Sequence, residues 1–409
     1  MNRFPISCWT YFPFAQTWDS LAQDYYDLGL NNPMTPVFRD GDDPEKMIAL
    51  LDQFHALGMK VIMYDGRVTA HAVKGTDIDE ASYRELFQRS LDQFGSHPAL
   101  TGFYVGDEPD APDAALFFMC ARVQREMAPN LVPFLNLLPW FDWIGERIGS
   151  PAYAPYLDRA VVEGNLAQIG YDCYTQMWEG DSGYDVYFNN LREMRDVSNR
   201  HGIPFCNTLL SSGHYDYACP DQDDFRWQIS TTAALGAKAI TYFYVAGINC
   251  GSNYRRFPID HFHERTEAFK WLAYENKFFE TRYGELLLQL TCDKSEFTLK
   301  AYGGLELFKP DETLLGAKNK KDINMLISTF HGEDGTKYRV VVNMDRKKNI
   351  EAKLLFAPGV KVTRLSWNNT WVDASGYFDA VGAQSLDGSS VAMWMAPGQM
   401  EILKEEIEA

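Results

Sequence analysis

No apolar run in this chain of 409 residues approaches the length of a membrane-crossing helix, and no segment is repeated or of low complexity. Positive charge is scarce: 38 Lys and Arg stand against 56 Asp and Glu, a formal net charge of −18. That balance argues against nucleic-acid and anionic-membrane partners and suits a neutral or cationic substrate. The seven cysteines show neither C-x-x-C spacing nor a paired framework, so most are expected to be reduced and several buried in strands. No His/Asp/Glu cluster has metal-ligand spacing. No Gly-x-Gly-x-x-Gly or Walker-type loop follows a strand-like segment, and no serine sits on an elbow motif. Neither a metal nor a cofactor is therefore expected. Residues 1–12 begin at once with strand-like sequence, without a charged n-region, a long h-region or a cleavage site, so a cytoplasmic location is expected unless a leader was removed. The oligomeric state is left open.

What is present is a large apolar inventory, 46% hydrophobic and 14% aromatic, enough for two domains. From residue 4 to about 247 one unit recurs: a short apolar strand, a polar loop, then a helix with apolar residues at i, i+3, i+4 and i+7. Eight strands are predicted, at Phe4–Phe12, Pro33–Phe38, Lys60–Tyr64, Thr101–Val105, Leu131–Leu138, Leu166–Tyr174, Ile203–Leu210 and Ala239–Val245. The helix after the second shows the grammar: Asp43 as cap, Pro44 in the first turn, Met47, Leu50, Leu51 and Phe54 as the buried stripe, Gly58 as the stop. Eight such units in roughly 250 residues predict a (β/α)8 TIM barrel in an α/β domain spanning 1–283. Its closing helix is expected within 260–282, with Phe262, Phe269, Trp271 and Leu272 among the apolar positions. Beyond Glu285 the pattern changes to alternation with period two, punctuated by Asp334-Gly335 and Asp387-Gly388. A smaller antiparallel β-sandwich domain is predicted over 284–409.

The chain is organised around Thr101–Pro109, TGFYVGDEP. A β-branched and aromatic strand ends at Gly106, places Asp107 and Glu108 just beyond its carboxyl end, and stops at Pro109. In a parallel α/β protein that is where ligands bind and chemistry happens. The other predicted strands end in a recurring mixture of aromatic and polar residues: Trp9, Asp65 with Arg67, Asn136, Tyr171 with Asp172 and Tyr174, Trp178, Asn207, His214 and Tyr244. Flat rings stack on the C–H faces of a sugar, and fixed amides and carboxylates bind its hydroxyls. For any one aromatic, a place in the barrel core is as good an account as a place in the cleft. Glycoside hydrolysis asks for one carboxyl kept protonated and a second that acts as nucleophile or base. Glu108 is the expected acid, its proton held by Asp107 if the two side chains converge. Asp172 is the expected partner and Asp65 its rival, although an ion pair with Arg67 explains Asp65 equally well.

Gly106-Asp107-Glu108-Pro109, Asn136-Leu137-Leu138-Pro139, Gly170-Tyr171-Asp172-Cys173-Tyr174 and Tyr187-Phe188-Asn189-Asn190-Leu191 resemble motifs of glycoside-hydrolase-like (β/α)8 barrel proteins. Phe225-Arg226-Trp227-Gln228 and Leu235-Gly236-Ala237-Lys238 extend the likeness over most of the first 250 residues. The resemblance is to the clan of β-galactosidases and cellulases, and it implies a carbohydrate substrate and an acid/base Glu at the end of the fourth strand, where Glu108 stands. Two departures accompany it. Asp107 occupies the position where the clan usually has Asn. No Glu occurs between Glu193 and Glu264, so the seventh predicted strand lacks the clan's nucleophile. The expected activity is a glycosidase, inverting through water with Asp172 as base; the alternative is a barrel that binds carbohydrate without cleaving it.

Overall fold

The computed structural model describes residues 3–248, 250–251, 253–374, 384–385 and 390–407. Seven strands form one parallel sheet: Ile6–Cys8, Val61–Met63, Leu100–Asp107, Phe134–Leu137, Ile169–Asp172, Phe205–Leu210 and Ala239–Phe243. Ile6–Cys8 pairs with Ala239–Phe243, and the order then runs back strand by strand to Val61–Met63, so the sheet curls. The predicted strand Pro33–Phe38 is not a continuous ladder. Pro33 and Pro36 carry no N–H, so pairing is reduced to isolated bridges. Those bridges reach both ways: Met34 N donates to Cys8 O (3.1 Å) and Val37 N to Phe12 O (3.0 Å), while Thr35 N donates to Ile62 O (2.9 Å) and Phe38 N to Tyr64 O (2.9 Å).

Helices flank the sheet where the sequence places them. Asp43 Oδ1 accepts from Glu45 N, Pro44 opens the helix Pro44–Ala56, and Met47, Leu50, Leu51 and Phe54 are its buried residues. The closing helix departs from expectation and runs only over Glu267–Phe279. Upstream, Asp260 Oδ1 accepts from the N–H groups of Phe262 and Glu264, a local turn that competes with helix. Phe262 is consequently 82% exposed instead of packed. Among the described residues no helix is long and apolar enough to cross a membrane. All seven cysteines are unpaired, and five are buried.

After residue 290 the chain forms two further, largely antiparallel sheets, an additional β domain. Met325–His331 and Lys337–Asn343 are joined at Asp334-Gly335, where Asp334 Oδ1 accepts from Thr336 N and Gly335 adopts φ +79°. The predicted turn Asp387-Gly388 lies outside the described residues. Strand alternation decides what each face meets. Met325, Ile327, Val341 and Leu403 face Leu354, Phe356 and Met393 of the second sheet. Leu326, Val340, Val342 and Ile402, one residue out of phase, join the apolar core that runs through the helices around the parallel sheet. At that seam Trp227, fully buried, donates from Nε1 to Met344 O (3.0 Å).

Candidate active site

The strand Leu100–Asp107 runs against the helix Ala111–Met127 so closely that a Cβ on Gly106 would lie 2.5 Å from the Phe117 ring. Glu108 follows in the left-handed region at φ +44°, a conformation that costs a non-glycine residue about 1–3 kcal/mol. In a regular strand Asp107 and Glu108 would point to opposite faces. The left-handed turn breaks that alternation, and both carboxyls feel Asp172 on the strand Ile169–Asp172.

Asn136, on the strand between them, holds the centre. Its Nδ2 donates to Asp107 Oδ1 (2.9 Å) and to Asp172 Oδ1 (2.6 Å), while its own Oδ1 is buried without a protein partner. Tyr11 donates its hydroxyl to Asp107 Oδ2 (2.8 Å), and Asp107 N donates to His71 Nε2 (3.1 Å). Burial pushes the Glu108 carboxyl up to about 9; the charges of Asp172 and then Asp107 add to the shift, and Arg147 opposes it. Arg147 Nη2 stands 3.6 Å from Glu108 Oε2, but its Nε is engaged by Asp110 at 2.5 Å. Burial and the charge of Asp107 push Asp172 up to about 7, against the hydrogen bond from Asn136. Asp107 is raised by burial too, and its bonds from Asn136 and Tyr11 work the other way. The Glu108 side chain is 32% exposed, so it is reachable from solvent.

Glu108, Asp107, Asn136 and Asp172 are thus brought together. Tyr174 lies beside them, its hydroxyl favouring the charged form of Asp172 and its ring stacked on Phe243 (5.6 Å between centroids). His214, its pKa lowered by burial, stacks on Tyr254 (4.7 Å) and meets Tyr174 edge to face; Trp178 stacks on Tyr217, and Tyr244 packs on Phe243. Together these rings make an aromatic wall. Trp9 lies against the parallel sheet, edge to face with Tyr104 and Phe134, its Nε1 unpartnered.

Four expectations meet a different geometry. Asp65 is fully buried, and Arg67 N, Arg67 Nε, Arg67 Nη2 and Ser90 Oγ all donate to its two oxygens, which fills its acceptor sites and leaves none for a sugar hydroxyl. Arg67 is spent on the same pair and lies over the Phe38 ring at 4.7 Å. Tyr171 is fully buried in the core shared with the helices, beside Tyr153 and Tyr187. Asn207 points the same way and donates to Thr232 Oγ1 (2.7 Å). Sequence reasoning misses His71 and Arg147, which sit in the short helices Ala70–Val73 and Gly145–Ile148 with no spacing that ties them to Glu108. Tyr217 and Tyr254 carried a signal, as further rings in the loops that hold His214 and Tyr244.

A cavity of about 860 Å³ opens at the other end of the sheet, lined by residues at the strands' amino ends such as Asn32, Lys60, Thr101 and Lys238. It is remote from the carboxyl cluster. Among the described residues no group of His, Cys, Asp and Glu is placed to hold a metal ion.

No protein-family model matches the chain, and no curated protein does. Solved structures do. A GH42 β-galactosidase from G. stearothermophilus superposes with a TM-score of 0.61 at 10% identity, covering 100% of this chain and 99% of its own. A family 39 glycoside hydrolase from the gut symbiont Bacteroides cellulosilyticus WH2 gives 0.57 at 12%, covering 99% and 81%. A β-galactosidase from the psychrophilic Marinomonas ef1 gives 0.53 at 12%, over 70% of this chain, which spans 62% of that protein's length. The fold is TIM-barrel-like. It is structurally related to several glycoside hydrolase families, and at these identities the likeness concerns fold alone. Within a TIM-barrel-like fold the carboxyl cluster lies at the strands' carboxyl ends, the face where such folds carry their chemistry.

Proposed function

We propose that the protein is a glycoside hydrolase in which Glu108 protonates the leaving oxygen and Asp172 activates water for an inverting attack. The reading includes a closed (β/α)8 barrel over residues 1–283, supported by the hydrogen bonds on both sides of 33–38, and a β-sandwich domain over 284–409. The observation that carries the function is the carboxyl cluster at the strands' carboxyl ends, Asp107 and Asp172 bridged by Asn136 with Glu108 beside them. Both carboxyls are pushed up, Glu108 to about 9 and Asp172 to about 7, an order that suits Glu108 to the part of acid and Asp172 to that of base. Asn136, Asp107, Tyr174, Trp178, His214 and Tyr244 are the proposed sugar-binding residues, and Trp9 Nε1 is a buried donor with no protein partner. Asp65 leaves the contest for the base, since its lone pairs are occupied.

A second reading, a barrel that binds carbohydrate without cleaving it, is favoured by the missing Glu at the end of the strand Phe205–Leu210. Proton NMR of the first-formed product over a panel of nitrophenyl glycosides and oligosaccharides separates the two. An inverted anomer is expected. Retention contradicts the water mechanism, and full activity in Asp172→Asn removes that residue as base. Thermal stabilisation by a sugar without turnover supports the binder.

A further inference from the structure

We infer that Arg346, which reaches out of the C-terminal sheets, is a positioning residue for the loop behind Asp172, so that the β domain completes the site. The inference rests on the hydrolase reading for its catalytic consequence, and on geometry alone for the clamp.

The loop in question continues directly from Asp172 through Tyr174 to a single tight turn, Thr175–Met177, and Trp178. It carries two rings of the aromatic wall and the hydroxyl beside Asp172. Arg346 lies in the turn after the strand Lys337–Asn343. That turn is built before the side chain leaves it: Asp345 Oδ1 accepts from the N–H groups of Lys347 (2.8 Å) and Lys348 (2.9 Å). From there the guanidinium, only 13% exposed, passes over the Trp227 and Tyr184 rings at 4.8 and 5.4 Å. Its Nε donates to Tyr184 Oη (3.0 Å), its Nη1 to Asp224 Oδ1 (3.3 Å), and its Nη2 to the backbone carbonyl of Gln176. A planar fork with fixed donors fits three such partners at once, which a lysine does not.

A seam between two apolar surfaces does not require a buried cation, because well-packed hydrophobic residues hold such a seam as well or better. What the cation adds here is a contact to loop backbone, which fixes the path of the chain whatever side chain stands at 176. The loop is tied at two further points. Gln176 Nε2 donates to Gln228 Oε1, which itself accepts from Leu210 N. Past the turn, Tyr302 from the β domain donates to Asp181 Oδ2 (2.6 Å). Residues of the β domain therefore hold the segment behind Asp172 at its tight turn and again at Asp181.

The test uses the full-length protein with Arg346→Met, Arg346→Lys and Tyr302→Phe. It reads kcat and KM separately, the pH dependence of kcat/KM, and hydrogen exchange of the peptide covering 173–182. Arg346→Met is expected to lower kcat by about 10–100-fold, the scale of a misplaced reacting group, with KM changed less than threefold. The lower limb of the pH profile should move, Arg346→Lys should recover part of the rate, and exchange should quicken over 173–182 before other segments. Tyr302→Phe should show the same exchange change more weakly, and keeps the test open if Arg346→Met does not fold. Variants that lose thermal stability but keep wild-type kcat, pH profile and exchange overturn the inference. If the wild-type protein cleaves no glycoside, the hydrolase reading falls, and exchange over 173–182 alone decides the clamp.

Discussion

Partial burial and two neighbouring carboxylates, Asp172 and Asp107, both push the Glu108 carboxyl up, while the Arg147 guanidinium that opposes them is also engaged by Asp110. The order of the two affinities fixes the pH profile. The base must be ionised and the acid protonated, so kcat/KM is expected to rise as Asp172 titrates near pH 7 and to fall as Glu108 titrates near pH 9. As the carboxyls interact, the two limbs belong to the pair. A pH–rate profile with its maximum near pH 5 contradicts this assignment. The same shifts carry a stability consequence. Both carboxyls are raised above their unfolded values, so the folded protein holds more protons than the unfolded chain between the ordinary carboxylate range and about pH 9, and their contribution to stability falls as pH rises through that window. Asp172→Asn removes a charge that is costly to keep in the site. It is expected to raise Tm more at pH 8 than at pH 5, as read by calorimetry; an equal change at both values contradicts it.

At the scale of elements, Asp65 shows how a residue placed by sequence at a strand end serves the frame. Its carboxylate ties the loop after Val61–Met63 to Ser90 on the helix Glu80–Ser90 and neutralises Arg67. Asp65→Ala leaves that mostly buried guanidinium without its carboxylate, with Gln93 Oε1 as a remaining acceptor, and is expected to cost about 3–5 kcal/mol in urea unfolding; a loss under 1 kcal/mol contradicts the account. The sequence announces strand positions, helix caps and Glu108 because those depend on local chemistry: an apolar run, an Asp before Pro44, a glycine and a proline around two carboxyls. It does not announce facing. Phe205–Leu210 is buried on both faces, so nothing in the residue types says that Asn207 turns to Thr232 while Cys206 and Thr208 turn inward. Tyr171 fails for the same reason. The irregular 33–38 segment was legible in its two prolines, and the 260–266 turn in Asp260, but each needs a neighbour to decide between competing hydrogen bonds.

Across the whole molecule the two parts share apolar core, and a buried ion pair crosses between them. Arg282 donates to Glu401 Oε2 (2.6 Å) and to Leu365 O (2.6 Å), and Tyr283 donates to Met400 O, so the proposed boundary at 283 cuts beside groups that depend on the β domain. A chain ending near 283 is expected to keep an α/β circular-dichroism signature yet aggregate in size-exclusion chromatography, with Arg282 unpaired and the helix carrying Trp227 uncovered. A monomer with the full protein's Tm contradicts that dependence. The central claim, that Glu108 delivers the proton to the leaving oxygen, is tested most directly by the kcat of Glu108→Gln on two substrates of the same sugar. One has a sugar or alkyl leaving group that needs protonation, and the other a nitrophenol that needs little. A loss of at least ~10²-fold on the first and a much smaller loss on the second is the predicted result. An unchanged rate on the poor leaving group contradicts it.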